Sequence, residues 1–151
     1  MKLKLNRQID CKASHLPTST QVKQWVLATL KKVNFSEAST ELTLRAVEPA
    51  ESAELNEQYR AKKGPTNVLS FPDVPIPGIE AHYLGDLAIC AELVIEEAKA
   101  QKITPEDHWA HLVIHGTLHL LGHDHIEEKD AELMEALEIE ILGEFGIKNP
   151  Y

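Results

Sequence analysis

The chain has 151 residues, of which 43% are hydrophobic, and it carries a formal net charge of −9 at pH 7. This length and apolar content suffice for one globular domain that buries about two thirds of its unfolded surface, so a disulfide or metal is not required merely to hold the fold together. The two cysteines lie outside any CxxC spacing, and no uncharged apolar stretch approaches the roughly 20 residues of a membrane helix. No apolar segment follows the N-terminal MKLKLNRQ either, so we expect a cytoplasmic, reduced protein that does not span a membrane.

The first half of the chain alternates between strand and helix patterns. Apolar and polar residues alternate over residues 2–9, as they do in a half-buried strand. Apolar residues then recur at helical spacing over residues 22–33, and strand alternation returns over residues 41–47. Residues 49–60 follow with the pattern of a second helix, so the opening order is predicted to be strand, helix, strand, helix.

The second half predicts a short buried strand at 67–71, a proline-rich loop at 72–78, a strand at 86–90 and a helix at 91–101. The sequence Thr104-Pro105-Glu106-Asp107 then supplies a cap, a proline in the first turn and two carboxylates for a further helix. One more, acidic helix closes the chain. We therefore predict the α+β class: a single domain, residues 1–151, with a mixed sheet of about four strands packed with about five helices.

Charge is unevenly distributed along the chain. Residues 126–144 contain eight acidic residues and one lysine, which leaves a net charge of only −2 for everything else. Within that remainder, Arg60, Lys62 and Lys63 form a compact basic cluster directly before a turn-like Pro-Thr-Asn segment. This cluster is either a local anion-binding site or an ordinary solvated loop, and both interpretations stay open.

The segment HGTLHLLGHDH, residues 115–125, has the spacing of a metal site. His115 and His119 are four residues apart, so on a helix they share one face with Cβ atoms about 5–6 Å apart. Gly122 can adopt a positive φ and end the helix, which would return His125 to the same point. Three neutral imidazoles leave one tetrahedral position open, and glycine at the seventh position matches the ligand spacing of metzincins. We predict a zincin-like metal helix that binds one zinc ion through His115, His119 and His125.

Neighbouring residues compete with these three for a role in the site. His111 also lies four residues from His115, but both His108 and His111 are expected to be packing or hydrogen-bonding groups rather than ligands. Asp124 either orients a ligand imidazole or simply forms the turn. Zinc peptidases place a glutamate directly after the first histidine, where this chain has Gly116, so a peptidase is disfavoured.

Three motifs together carry a resemblance to a known family. HGTLHLLGHDH, PTNVLSFP at 65–72 and LGDLAI at 84–89 resemble the YbeY family of bacterial endoribonucleases, over nearly the whole chain. The resemblance implies a zinc-dependent endoribonuclease specific for single-stranded RNA. Its implied roles are ribosomal RNA processing, at the 3′ end of the small-subunit RNA, and late ribosome quality control. A ribosomal protein and a ribosome-associated GTPase are the implied candidate protein partners.

The resemblance also assigns residue roles. It makes His115, His119 and His125 the metal ligands and places Arg60 at the cleft to meet the RNA. The planar guanidinium suits this role because it can hold a phosphate through two hydrogen bonds and stabilise charge that develops during cleavage. Further residues are candidates for contacts with the RNA, although turn formation or solubility explains them almost as well: Lys62, Lys63, Thr66, Asn67 and Ser70.

Two other classes of function remain open at this stage. The chain could be a non-catalytic ribosome assembly factor with a structural metal, and the acidic last helix favours a basic protein partner for such a factor. It could also be a hydrolase of small molecules or peptides that shares only the zincin-like arrangement. For the nuclease itself, water and the neighbouring 2′-hydroxyl both remain as the nucleophile.

Overall fold

The computed structural model describes residues 1–73, 83–123 and 126–151. Within these ranges the chain forms four strands and five helices, in the order β1 (Lys2–Asp10), α1 (Ser19–Lys32), β2 (Ser39–Val47), α2 (Pro49–Arg60), β3 (Val68–Pro72), β4 (Tyr83–Cys90), α3 (Ala91–Gln101), α4 (Pro105–Leu120) and α5 (Glu128–Glu144). These elements confirm the predicted α+β fold, and α2 and α3 have the predicted bounds. Most of the predicted loop at 72–78 lies outside the described residues.

The four strands form one mixed sheet in the order β1-β2-β4-β3. β1 pairs with β2 and β2 pairs with β4 in parallel, whereas β3 runs antiparallel to β4. Parallel neighbours need long crossover connections, and α1 provides the one between β1 and β2. Because β3 has no sheet partner on its outer side among the described strands, the polar residues of its motif lie at one border of the sheet.

Helix α4 runs through the centre of the molecule. Its start follows the predicted cap, since the Thr104 hydroxyl accepts a hydrogen bond from the Asp107 amide at 3.1 Å. The helix contacts α1, α3, α5 and β3, and Trp109, Ile114 and Leu118 are fully buried. Beyond its first turn, α4 is mostly buried, and His115 and His119 are the residues of the helix that line the cleft beside β3.

Gly116 allows α4 to approach the sheet closely. A Cβ atom at this position would lie 2.8 Å from Cδ2 of Leu87 and 3.3 Å from Oγ of Ser70, closer than carbon atoms normally approach. The Ser70 hydroxyl donates instead to the Gly116 carbonyl at 3.1 Å. The position where a zinc peptidase carries its glutamate is thus pressed against β3 and β4, with no space for a carboxylate side chain.

Helix α5 covers α4 with an apolar stripe that includes one carboxylate. Met134, Ile141 and Leu142 are buried at helical spacing, and Glu138 lies on the same stripe with no exposed surface. The remaining acidic residues of α5 are solvent-exposed. Across the described part of the chain, none of the helices combines the length and apolar character that crossing a membrane requires.

Candidate metal centre

A cleft of about 660 Å³ lies between the end of α2, strand β3 and the C-terminal part of α4. Tyr59 and Arg60 line it from α2, residues 66–72 form one wall, and His115 and His119 line it from α4. The cleft brings Arg60 of the basic cluster and the TNVLSFP segment next to His115 and His119, which follow more than 40 residues later in the sequence.

His115 and His119 approach each other through their outer nitrogens. The two Nε2 atoms are 3.1 Å apart, and the ring centroids are 4.7 Å apart. Two imidazoles on one tetrahedral zinc ion would hold their nitrogens about 3.3 Å apart, given Zn–N bonds of 2.0–2.1 Å. These two side chains therefore fit a shared ion with little movement.

The third predicted ligand, His125, lies outside the described residues, as does Asp124. The turn that would deliver His125 follows the prediction, because α4 ends at Leu120 and Gly122 has a φ of 93°. The complete three-histidine set stays a prediction.

Glu138 contacts the other side of the His115 ring, and the sequence analysis did not identify it. The Nδ1 atom of His115 hydrogen-bonds to Oε1 of this buried carboxylate. Because an ionised carboxylate can only accept, Nδ1 carries the proton and Nε2 keeps its lone pair for a metal. The sequence did contain a signal for Glu138, namely a carboxylate on the apolar stripe of α5. Buried acidic residues are rare unless they have a partner, so this position indicated a partner in the core.

The charge of Glu138 is stabilised by three neighbours. Burial raises the pKa of this carboxyl group, but hydrogen bonds from His111 and His115 outweigh burial and hold the pKa at about 2. The Tyr151 hydroxyl also donates to Glu138, and burial together with this carboxylate raises the pKa of Tyr151. Glu138 is therefore ionised at neutral pH and acts as an acceptor for His115.

A second set of donor atoms shares His115 with the first. Atoms of His111, His115 and Glu138 lie within 4.8 Å of one another and could also hold an ion. In that set His115 would bind through the side of its ring that now hydrogen-bonds directly to Glu138. His111 Nε2 lies 3.4 Å from Oε2 of Glu138 and 3.3 Å from the hydroxyl of Tyr151, both distances of polar contacts within a network. The described residues thus offer two alternative positions for a metal, one on each side of His115.

The basic cluster is divided by the end of α2. Arg60 is the last residue of that helix and lines the cleft. Ala61 then adopts a left-handed conformation with a φ of 54°, which turns the chain away. Lys62 and Lys63 are exposed and are not part of the cleft lining that the structure describes, and their contacts with RNA stay a prediction.

The polar residues of the TNVLSFP segment line the cleft but already have partners. The Asn67 amide donates to Glu97 at 3.1 Å and its oxygen accepts from the Val68 amide at 2.7 Å. The backbone of Thr66 exchanges two hydrogen bonds with the Ser52 hydroxyl, and the Ser70 hydroxyl donates to Gly116. Their structural roles are thus visible, while contacts with RNA by Thr66, Asn67 and Ser70 stay a prediction.

A short buried strand was predicted at 67–71, but not all of its apolar residues belong to the core. Leu69 is buried, but Val68 and Phe71 are half-buried and line the cleft. Alternation along β3 separates Val68 from Leu69, because successive side chains of a strand point to opposite faces. Phe71 lies on the same face as Leu69 but one residue from the end of the strand, where it is half-buried.

Most of the chain matches known proteins in sequence. The family model described as "Endoribonuclease YbeY" matches residues 5–146. A protein named Endoribonuclease YbeY from Coxiella burnetii (strain Dugway 5J108-111) is 57% identical over 136 residues, which cover 90% of each chain. Another protein of that name, from Colwellia psychrerythraea (strain 34H), is 49% identical over 148 residues, or 97% of this chain and 96% of the relative.

A solved structure supports the fold independently. The solution structure of TM1509 from Thermotoga maritima aligns with 93% of this chain and 91% of its own, with a TM-score of 0.54 and 26% sequence identity. The arrangement of sheet and helices around α4 is therefore shared with an experimentally determined protein.

Proposed function

The chain belongs to the YbeY endoribonuclease family, and we propose that it cuts single-stranded RNA in a zinc-dependent reaction. The observation that carries this proposal is the pair of Nε2 atoms of His115 and His119, 3.1 Å apart at a cleft that Arg60 also lines. The proposed substrate of the enzyme is ribosomal RNA, which is cut at the 3′ end of the small-subunit RNA. The enzyme also serves late ribosome quality control in the cytoplasm.

One zinc ion per chain would be held by His115, His119 and His125. When bound there, zinc supplies Lewis acidity and lowers the pKa of a coordinated water to near neutral. The chain supports this ligand set through Glu138, which holds the proton of His115 on Nδ1 and so leaves Nε2 available.

Arg60 supplies the charge that a phosphodiester substrate needs. Its guanidinium is exposed at the cleft and can hold two phosphate oxygens in a bidentate arrangement. Negative charge on these oxygens grows as the nucleophile adds to phosphorus, so a cation beside them stabilises the transition state.

A peptidase function is not favoured. Peptide cleavage by zinc enzymes uses a glutamate beside the first histidine to move a proton, and the close contact of Gly116 with Leu87 and Ser70 leaves no space for one. An arginine at the cleft matches a phosphodiester better than a neutral peptide bond.

A second, non-catalytic activity has support from α5. Its exposed acidic residues form a negative surface, which is suited to docking a basic ribosomal protein or a ribosome-associated GTPase. Replacing exposed Glu132 and Glu135 by lysine should weaken binding to ribosomal subunits and leave cleavage of free RNA unchanged. Unchanged binding in this double variant would contradict the docking role.

The nuclease proposal is tested with the zinc-loaded protein, single-stranded RNA and an unstructured peptide, each with and without chelator. We expect RNA cleavage that chelator abolishes, an uncut peptide, and no cleavage by His119→Ala. The RNA ends also identify the nucleophile, because attack by the neighbouring 2′-hydroxyl leaves a 2′,3′-cyclic phosphate and attack by water does not. RNA cleavage that persists in chelator and in His119→Ala would overturn the metal-dependent nuclease.

A further inference from the structure

Tyr59 is an aromatic residue that the chemistry described above does not use. It precedes Arg60 at the end of α2, lines the cleft and is 59% exposed. Leaving a large aromatic ring in water forgoes the gain that burial would give. Its position in the cleft lining beside Arg60, rather than its exposure alone, makes it a candidate for contact with a ligand.

Phe71 holds the Tyr59 ring in a defined orientation. The two ring centroids are 5.1 Å apart with an interplanar angle of 71°, an edge-to-face contact. Phe71 is itself fixed in β3, where it pairs with Asp86 of β4. Whichever ring offers its edge, at least one face of Tyr59 is left uncovered by Phe71, so a flat ligand can stack there without displacing the contact.

We propose that Tyr59, supported by Phe71, forms a subsite that stacks one unpaired nucleobase of the RNA. This inference rests on the proposed nuclease function and adds a base contact to the phosphate contact of Arg60. The adjacent side chains of Tyr59 and Arg60 suit the alternating bases and phosphates of a single strand. The aromatic ring can bind the face of a base, and the guanidinium can bind the phosphate backbone.

The subsite also gives a physical reason for single-strand preference. In a duplex, both faces of an internal base are covered by its stacked neighbours, so Tyr59 cannot reach them. An unpaired base exposes its faces at little cost. Stacking accepts every base, so the subsite selects unpaired structure rather than a particular sequence.

The kinetic test compares Tyr59→Ala, Tyr59→Phe and Tyr59→Trp in the zinc-loaded protein. We expect Tyr59→Ala to raise KM for single-stranded RNA by on the order of tenfold to a hundredfold, the usual effect of losing one stacked base. We expect kcat to change less than KM, because Arg60 and the histidines remain in place. Phe and Trp at this position should restore KM because both keep a flat ring.

Phe145→Ala is the matched control, since Phe145 is also an exposed aromatic residue but does not line the cleft. It should leave KM and zinc content unchanged, and thermal unfolding verifies that the variant folds. A comparable rise in KM for Phe145→Ala would indicate a general effect of removing surface aromatics and would overturn the subsite.

The decisive measurement is a double-mutant cycle between the protein and the RNA. Oligonucleotides with a single abasic site at successive positions are bound to the wild type and to Tyr59→Ala. At one position, loss of the base and loss of the ring should cost no more together than either alone, because they remove the same contact. Strictly additive costs at every position would show that no base stacks on Tyr59.

This test separates the subsite from the nuclease function. If the wild type cuts RNA and Tyr59→Ala cuts it with the same KM, the subsite is wrong and the nuclease stands. If the wild type neither binds nor cuts single-stranded RNA, the proposed function fails and the subsite fails with it.

Discussion

Two histidines of helix α4 each contact a glutamate from a neighbouring helix, but the two pairs differ in their environment. His108 Nε2 lies 2.7 Å from Oε1 of Glu97 on α3, and His115 Nδ1 hydrogen-bonds to Glu138 on α5. The two histidines are seven residues apart, close to two helical turns. Each imidazole therefore meets a glutamate from a neighbouring helix.

The second nitrogen of each ring distinguishes the pairs. Nδ1 of His108 is buried without a hydrogen-bond partner in the described structure, and the side chain is 3% exposed. His115 is 21% exposed, and its Nε2 faces His119 at the cleft. A carboxylate partner alone thus does not make a histidine a ligand. We expect access of the other nitrogen to a second donor and to solvent to decide it.

The largest effect should come from removing a ligand on the cleft side. His119→Ala should lose most of the bound zinc, whereas His108→Ala and His111→Ala should retain it. Metal content after dialysis, measured by atomic emission, checks this. Loss of zinc in His111→Ala with retention in His119→Ala would instead favour the alternative set of His111, His115 and Glu138. Equal loss in both variants would overturn the predicted ligand assignment.

Substitutions of Arg60 test whether the substrate binds in the cleft that Nε2 of His115 faces. Arg60→Glu should lower the cleavage rate at saturating RNA by on the order of a hundredfold, the usual loss for one charge-stabilising donor. Arg60→Lys should recover only part of the rate, because an ammonium lacks the bidentate geometry. Zinc content should be unchanged in both. Equal rates for all three proteins would make Arg60 a surface residue without a catalytic role.

The same substitution in the two carboxylates compares the pairs directly. Glu138→Gln should weaken zinc affinity by about tenfold to a hundredfold, since neutralising the partner of a ligand histidine lowers its basicity. Glu97→Gln should leave zinc affinity unchanged. Competition with a fluorescent zinc chelator measures both, and thermal unfolding verifies that each variant folds. Equal affinities would show that Glu138, like Glu97, has no influence on zinc binding.

The smallest effect concerns the stability that the His108–Glu97 pair provides. The hydrogen bond with His108 lowers the pKa of Glu97 below its ordinary value of 4.5, burial opposes this, and Asn67 adds to the lowering. A depressed pKa in the folded state means that the stabilisation is present above the unfolded-state pKa and is lost as pH falls through the folded-state pKa. Glu97→Gln should therefore reduce the free energy of unfolding by about 1 kcal/mol at neutral pH, since the carboxylate is partly exposed.

Urea unfolding at neutral pH and at several values below 4.5 measures this difference between Glu97→Gln and the wild type. The difference should shrink as the solution is acidified. A difference that stays constant across this range would mean that the charge of Glu97 contributes nothing to stability.

Local patterns in the sequence were enough for the elements and for the proximity of two histidines. The periodicity of apolar residues predicted the strands and helices, because burial on one face imposes it. The spacing of His115 and His119 predicted two imidazoles on one helix face, and Gly122 predicted the end of that helix. Each of these inferences involves residues within a few positions of one another, where backbone geometry alone sets the distance.

Only the tertiary structure decided what lies around those residues. Glu138 is 23 residues from His115, and Tyr59 is 12 residues from Phe71, with turns and element ends between them. The sequence shows a carboxylate on the apolar stripe of α5 but not which group it faces. It also shows histidines without showing which ring nitrogen contacts that carboxylate. The packing of α5 on α4 and of α2 against β3 determines both, since contacts between elements depend on how their faces meet and not on spacing along the chain.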